Sequence, residues 1–156
     1  MKRRTLLKGT AASASLLTAA VTGLLAPVRL LAAGWPQTAF DSESVAAAIK
    51  DYFGDAPISD SDQVAIKAPL QAENGAVVPI KVTTSLANVE SIAILVEKNP
   101  RPFVASLDVM PGASGGLFST RVKMGQTSQV LGLVKAGGKV HRVSQVVKVT
   151  VGGCGG

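Results

Sequence analysis

The chain has 156 residues and a formal charge of +6, but the excess sits at one end: Lys2, Arg3, Arg4, Lys8 and Arg29 precede residue 34 with no Asp or Glu among them. That leaves 16 − 5 = 11 basic residues against 10 acidic ones, a body near neutral at 11 − 10 = +1, with no charge block to track a nucleic-acid backbone. A single Cys and a single His exclude an internal disulfide, a dithiol oxidoreductase and a zinc site built from several soft ligands.

Residues 1–33 read as an export signal, with a basic start, an uncharged run from Gly9 to Val28, and small residues Ala32, Ala33 and Gly34 before Trp35. Arg3-Arg4-Thr5-Leu6-Leu7-Lys8 has the arrangement of a twin-arginine signal, with Arg3 and Arg4 as the paired arginines, which gives the bacterial periplasm as the address. The uncharged run approaches the ~20 residues of a membrane span, but its wealth of Ala, Ser, Thr and Gly favours a cleaved signal, leaving no span in the mature chain. Cleavage near Ala33 or Gly34 leaves a single domain able to bury a core.

In residues 34–62 a short helix and a loop are expected. Asp41 is positioned to cap a helix over Phe40 to Gly54, with Glu43 in its first turn and Gly54 closing it in a left-handed conformation. Val45, Ala48, Ile49 and Tyr52 share its apolar face, and Phe40 with Val45 has the spacing of a hydrophobic staple. Asp55 to Asp62 reads as a polar loop.

From residue 63 to 151 the apolar period becomes two. Val64, Ile66, Ala68 and Leu70 form one face; Asn74-Gly75 is a hairpin turn signal before Val78, Ile80 and Val82. Ile92 to Val96 has the continuous apolarity of a strand covered on both faces. Asn99-Pro100-Arg101-Pro102 breaks the ladder before Phe103, Ala105, Leu107 and Val109. Pro111 to Gly116 turns the chain, Phe118, Val122 and Met124 alternate with polar residues, and Val130, Gly132 and Val134 follow. After a turn at Gly137-Gly138, Val143, Val147, Val149 and Val151 alternate with Arg142, Ser144, Lys148 and Thr150. About seven short strands in a domain of this length predict an all-β fold, an antiparallel sandwich of immunoglobulin-like character.

The chain ends Val149-Thr150-Val151-Gly152-Gly153-Cys154-Gly155-Gly156. A valine strand gives way to Gly152, Gly153, Gly155 and Gly156 around one thiol, so residues 152–156 are expected to form a thin, flexible arm that carries Cys154 into a narrow site on another protein. An incidental thiol on a frayed end is the bland alternative, yet exposure of a free thiol in an oxidising compartment invites oxidation. No His or Arg adjoins Cys154, and the terminal carboxylate favours the protonated thiol, so the residue suits a carrier better than a catalyst. A periplasmic interaction module linked to a partner through an intermolecular disulfide at Cys154 is the other reading. His141 is expected to be part-buried and hydrogen-bonded rather than a ligand or base. Arg121, Lys123, Lys135, Lys139 and Arg142 are expected to form a solvated cationic row, one that could also help guide an anionic partner. Gly112 to Gly116 precedes strand-like sequence and so is no phosphate loop.

The twin-arginine signal, the short helix, Asn99-Pro100-Arg101-Pro102, the stretch Thr120-Arg121-Val122-Lys123-Met124-Gly125-Gln126-Thr127-Ser128 and the terminal Val-Gly-Gly-Cys-Gly-Gly together resemble the SoxY family, sulfur carriers of the periplasmic thiosulfate-oxidising system. Gly125 departs from the expected Ala. The resemblance implies a non-catalytic subunit that pairs with SoxZ as a heterodimer and holds sulfur intermediates on Cys154. It further implies that a haem protein (SoxAX) couples thiosulfate to the thiol, that a manganese hydrolase (SoxB) releases sulfate, and that a molybdenum enzyme (SoxCD) oxidises the remaining sulfur in some systems. No cofactor is then expected in this chain, since haem, manganese and molybdenum belong to the partners, and no nucleic acid is expected among its ligands.

Overall fold

The structure is a computed structural model and describes residues 34–112 and 115–150. Its elements belong to the unit that begins at Pro36. In chain order they are α1 (Gln37–Asp41), α2 (Val45–Phe53), β1 (Ile58–Asp60), β2 (Val64–Lys67), β3 (Gln71–Ala72), β4 (Val78–Thr84), β5 (Val89–Val96), β6 (Phe103–Asp108), β7 (Gly116–Val122), β8 (Ser128–Ala136) and β9 (Lys139–Val149).

Two sheets face each other. The large one has the order β1-β9-β8-β5-β6, with β3 also beside β9, and the small one has the order β2-β4-β7. Val64, Val78, Ile80 and Val82 of the small sheet meet Ile92, Ile94, Val96, Val130, Val134 and Val147 of the large one. All are buried, and each aliphatic side chain removed from water contributes about 1.5–3 kcal/mol. The expected immunoglobulin-like sandwich is therefore the fold.

β5 is covered on both sides, as its unbroken apolarity predicts. Ile92, Ile94 and Val96 face the small sheet, whereas Ala93 and Leu95 face a second core with Ala39, Ala48, Phe53, Phe103, Leu131, Leu133 and Val140. The helices supply this second layer. Phe40 meets Phe103 edge-on with ring centroids 4.7 Å apart, and Tyr52 stacks beside both Phe53 and Phe103 at 4.7 and 5.0 Å.

Local chemistry corrects several expectations. The single helix over Phe40 to Gly54 is two: α1 ends at Asp41, and Ser44, not Asp41, caps α2 by accepting the Ala47 N–H at 3.2 Å. Asp41 instead pairs with Arg101 at 3.2 Å. Gly54 closes α2 at φ 70°, with its N–H bonded to Lys50 O, as its place in the sequence predicts. The polar loop Asp55 to Asp62 contains β1, which pairs parallel with β9 through Ile58↔Val140 and Asp60↔Arg142. Leu70 is not on the inner face but 76% exposed, because after β2 the chain crosses past Pro69 to the large sheet, where β3 runs parallel to β9.

Asn74-Gly75 makes a turn but no hairpin. The Asn74 side-chain oxygen accepts the Ala76 N–H at 2.9 Å, yet the flanking β3 and β4 belong to different sheets. The true two-residue hairpin is Gly137-Gly138 between β8 and β9, with φ values of 57° and 74°; two successive positive φ angles match the strand twist and favour glycine.

Candidate functional site

The feature the fold builds with most care outside its cores is the place where the chain leaves β9. Val149 N–H donates to Thr127 Oγ1 at 3.0 Å, and Thr150 N–H donates to Ala72 O at 3.0 Å. Lys148 N–H donates to Leu70 O at 3.0 Å. The last strand residues are thus held from both flanks, by β3 on one and by the segment that enters β8 on the other.

A third strap crosses the same point. Met124 N–H donates to Gly75 O at 2.7 Å, and a Cβ on residue 75 would lie 2.4 Å from Met124 O and 2.8 Å from Val149 Cγ1. Only glycine permits this approach. Asn99 fixes the far side by donating Nδ2–H to Lys123 O at 2.8 Å while accepting from Gly125 N at 3.4 Å. The Asn-Pro-Arg-Pro break and the stretch Thr120 to Ser128, distant in sequence, therefore meet beside the point where the chain leaves β9. Arg101 ties the same break to the helix layer through Asp41. Around this end of β9 lies a shallow hollow of about 240 Å³, walled by Glu73, Asn74, Gly75, Lys123, Met124 and Thr150. A second hollow, of about 410 Å³ beside Asp60 and Arg142, shares no residue with it.

Cys154, Gly152, Gly153, Gly155, Gly156, Arg3 and Arg4 lie outside the described residues. The cationic row does not hold together: Lys135 pairs with Glu90 at 3.3 Å and Arg142 with Asp60 at 2.8 Å, both on the large sheet, whereas Arg121 is on β7 of the small sheet. The Arg142 guanidinium holds the Asp60 carboxyl below its ordinary range, and the Gly138 N–H does the same for Glu90. His141 is half-buried as expected, but its buried Nδ1 finds no hydrogen-bond partner among the described residues. Tyr52 donates its hydroxyl to Asp108 at 2.7 Å, and burial followed by that bond pushes its pKa up to about 12. Asn99 as a brace and Lys67 and Lys81 as companions of Arg121 are not read from the sequence; only the strand alternation of β2 and β4 signals that the two lysines face outward.

A family model described as "Sulfur oxidation protein SoxY" matches residues 49–154. The chain belongs to the SoxY family. The match runs from within α2 to Cys154, taking in every strand of the described residues. Among solved structures, the sulfur carrier protein SoxY from Chlorobium limicola f thiosulfatophilum is 43% identical, with a TM-score of 0.61, over 67% of this chain and 94% of that one. The superoxide reductase (neelaredoxin) from Ignicoccus hospitalis also matches, at 13% identity and a TM-score of 0.46 over 56% of this chain and 80% of that one. No curated protein sequence matches. SoxY proteins are carriers, and among the described residues of this one no helix is long and apolar enough to cross a membrane.

Proposed function

We propose that this SoxY protein carries sulfur covalently on Cys154 during thiosulfate oxidation and presents it to partner enzymes. The observation that carries the reading is the SoxY match ending on Cys154, directly beyond a strand end that is bonded on both flanks. Cys154 is the fourth residue past Thr150, so the arm extends at most about 14 Å from a fixed origin. Glycines on either side of the thiol add no bulk that would bar entry to a narrow site.

The Cys154 thiol and thiosulfate join through a new S–S bond, releasing one proton and two electrons to a haem protein (SoxAX). Water then cleaves the terminal sulfone group as hydrogen sulfate on a manganese hydrolase (SoxB), leaving a persulfide on Cys154. Where a molybdenum enzyme (SoxCD) is present, that enzyme takes up six electrons as three waters supply the oxygens that turn the persulfide into an S-sulfonate, with six protons released, and a second hydrolysis then releases sulfate and frees the thiol. Haem, manganese and molybdenum stay with the partners, while this chain, paired with SoxZ, supplies the handle and the docking surface. The cycle is placed in the periplasm, reached through Arg3 and Arg4; replacing both with Lys should leave the precursor inside the cell, and normal export of that variant would refute the route.

Mass spectrometry of the carboxyl-terminal peptide from thiosulfate-fed cells tests the carrier. Thiol-releasable sulfur adducts on Cys154, absent from a Cys154→Ser variant that no longer supports sulfate formation, are expected. Release of another protein in place of small adducts would instead establish a disulfide-linked interaction module.

A further inference from the structure

The outward face of the small sheet is a basic surface that the sequence does not gather in one place. Val64, Val78, Ile80, Val82 and Val122 point into the core, so by strand alternation Lys67 on β2, Lys81 on β4 and Arg121 on β7 point away from it. Lys67 is the direct cross-strand partner of Lys81, and Arg121 is opposite Pro79 on the same face. Like charges placed directly opposite one another repel. β2, β4 and β7 contain no Asp or Glu to offset them, and none of the three cations enters an ion pair among the described residues. Arg101, Lys135 and Arg142, by contrast, each meet a carboxylate.

Between the two lysines lies a hollow of about 350 Å³ walled by Ala68, Pro69, Pro79 and Ile80, and Leu117, 59% exposed, continues the apolar surface on β7. Cations rimming an apolar centre are the makeup of a protein-binding surface. A site for a small anion instead converges several donors on one point, and these cations are spread over three strands. Lys123, one alternation past Arg121, lines the hollow at the arm root with Thr150, so the basic face adjoins the origin of the arm.

The geometry points to a docking face for an acidic protein surface: the enzymes that act on the carboxyl-terminal adduct place carboxylates against Lys67, Lys81 and Arg121 and so stand beside the arm root. This rests on the carrier reading. Charge complementarity selects the occupant, because an anionic surface relieves the Lys67–Lys81 repulsion. Reach supports it, since a tether of about 14 Å delivers Cys154 only to a site held close to Thr150.

The test measures association of the full mature chain, in complex with its small partner subunit, with the manganese hydrolase by surface plasmon resonance at low and at half-molar salt. Lys67→Glu combined with Lys81→Glu should lower the association rate more than about tenfold at low salt, with the difference shrinking as salt screens the charges. Cys154→Ser should associate at the wild-type rate while releasing no sulfate. Because the lysines repel, Lys81→Gln should melt at or above the wild type, which keeps a loss of folding distinct from a loss of docking. Wild-type association by the reversal variant overturns the docking face alone, whereas turnover by Cys154→Ser overturns the carrier reading. A lowered melting temperature for Lys81→Gln shows the pair to be compensated and overturns the proposal. So does Lys67- and Lys81-dependent binding of duplex DNA, or of a second copy of this chain, in place of the hydrolase.

Discussion

Gly75→Ala places one methyl group where the structure has no room for it. The new Cβ would stand 2.4 Å from Met124 O and 2.8 Å from Val149 Cγ1. The carbonyl cannot retreat freely, because Met124 N–H is bonded to Gly75 O at 2.7 Å. Overpacking of this kind costs about 1–3 kcal/mol, and weakening the strap adds about 0.5–1.5 kcal/mol. Against these, alanine narrows the unfolded ensemble and returns about 0.4–1 kcal/mol. The net expectation is a loss of about 2 kcal/mol, or a fall of about 8 °C in melting temperature for a domain of this size. Calorimetry gives the global loss, and amide exchange shows where it falls, with Met124 and Thr150 losing protection before the β5 and β8 amides. An unchanged or raised melting temperature would refute the close crossing of these three segments, since the entropic gain would then be acting alone.

Replacing Gly153 and Gly155 with Val should leave folding and reaction with small thiol reagents intact but slow turnover with the partner enzymes, because branched side chains stiffen and widen the arm; normal turnover would show that the glycines have no such part. Tyr52→Phe should cost about 0.5–1.5 kcal/mol at neutral pH by removing the bond to Asp108. It should also remove an alkaline transition: the folded pKa, pushed up to about 12 from 10.0, stabilises the neutral phenol below pH 10, and that contribution is lost as pH rises from 10 towards 12. Melting curves of both proteins across that range check it, and parallel curves would count against the Tyr52–Asp108 bond.

Alternation made the sandwich legible: the valines and isoleucines of β4, β5, β8 and β9 stand at the positions their period assigns. Glycine-specific geometry was legible where it is local, as at Gly54 and Gly137-Gly138. What depends on partners distant in sequence was not. β1 and β3 are too short and too polar to show a period, and they exist because the edge of β9 offers them hydrogen bonds. Asn74-Gly75 carries the signature of a hairpin, but the chain's passage from one sheet to the other decides its role. The capping of α2 went to Ser44 because Asp41 closes α1 and α2 begins only at Val45, a break that the continuous apolar stripe hides. The cationic row was read along the chain, whereas β7 and β9 lie in different sheets and only the pairing of β2, β4 and β7 assembles the basic face. For the site, the terminal pattern around Cys154 lies outside the described residues and carries the proposed chemistry from the sequence, whereas the braces at Gly75, Asn99 and Thr127 depend on contacts between segments distant in sequence.

β9 is the longest strand in the described fold, with β8 along one edge and β1 and β3 along parts of the other. A partner that grips the end of the chain pulls along the axis of this strand, and the ladders on either side run across that axis. Tension is therefore shared by many hydrogen bonds loaded at once in shear, instead of opening one pair after another as peeling an edge strand would. Under the proposed function, such loading would let the chain end be drawn into an enzyme and withdrawn repeatedly without unzipping the sheet that bears it.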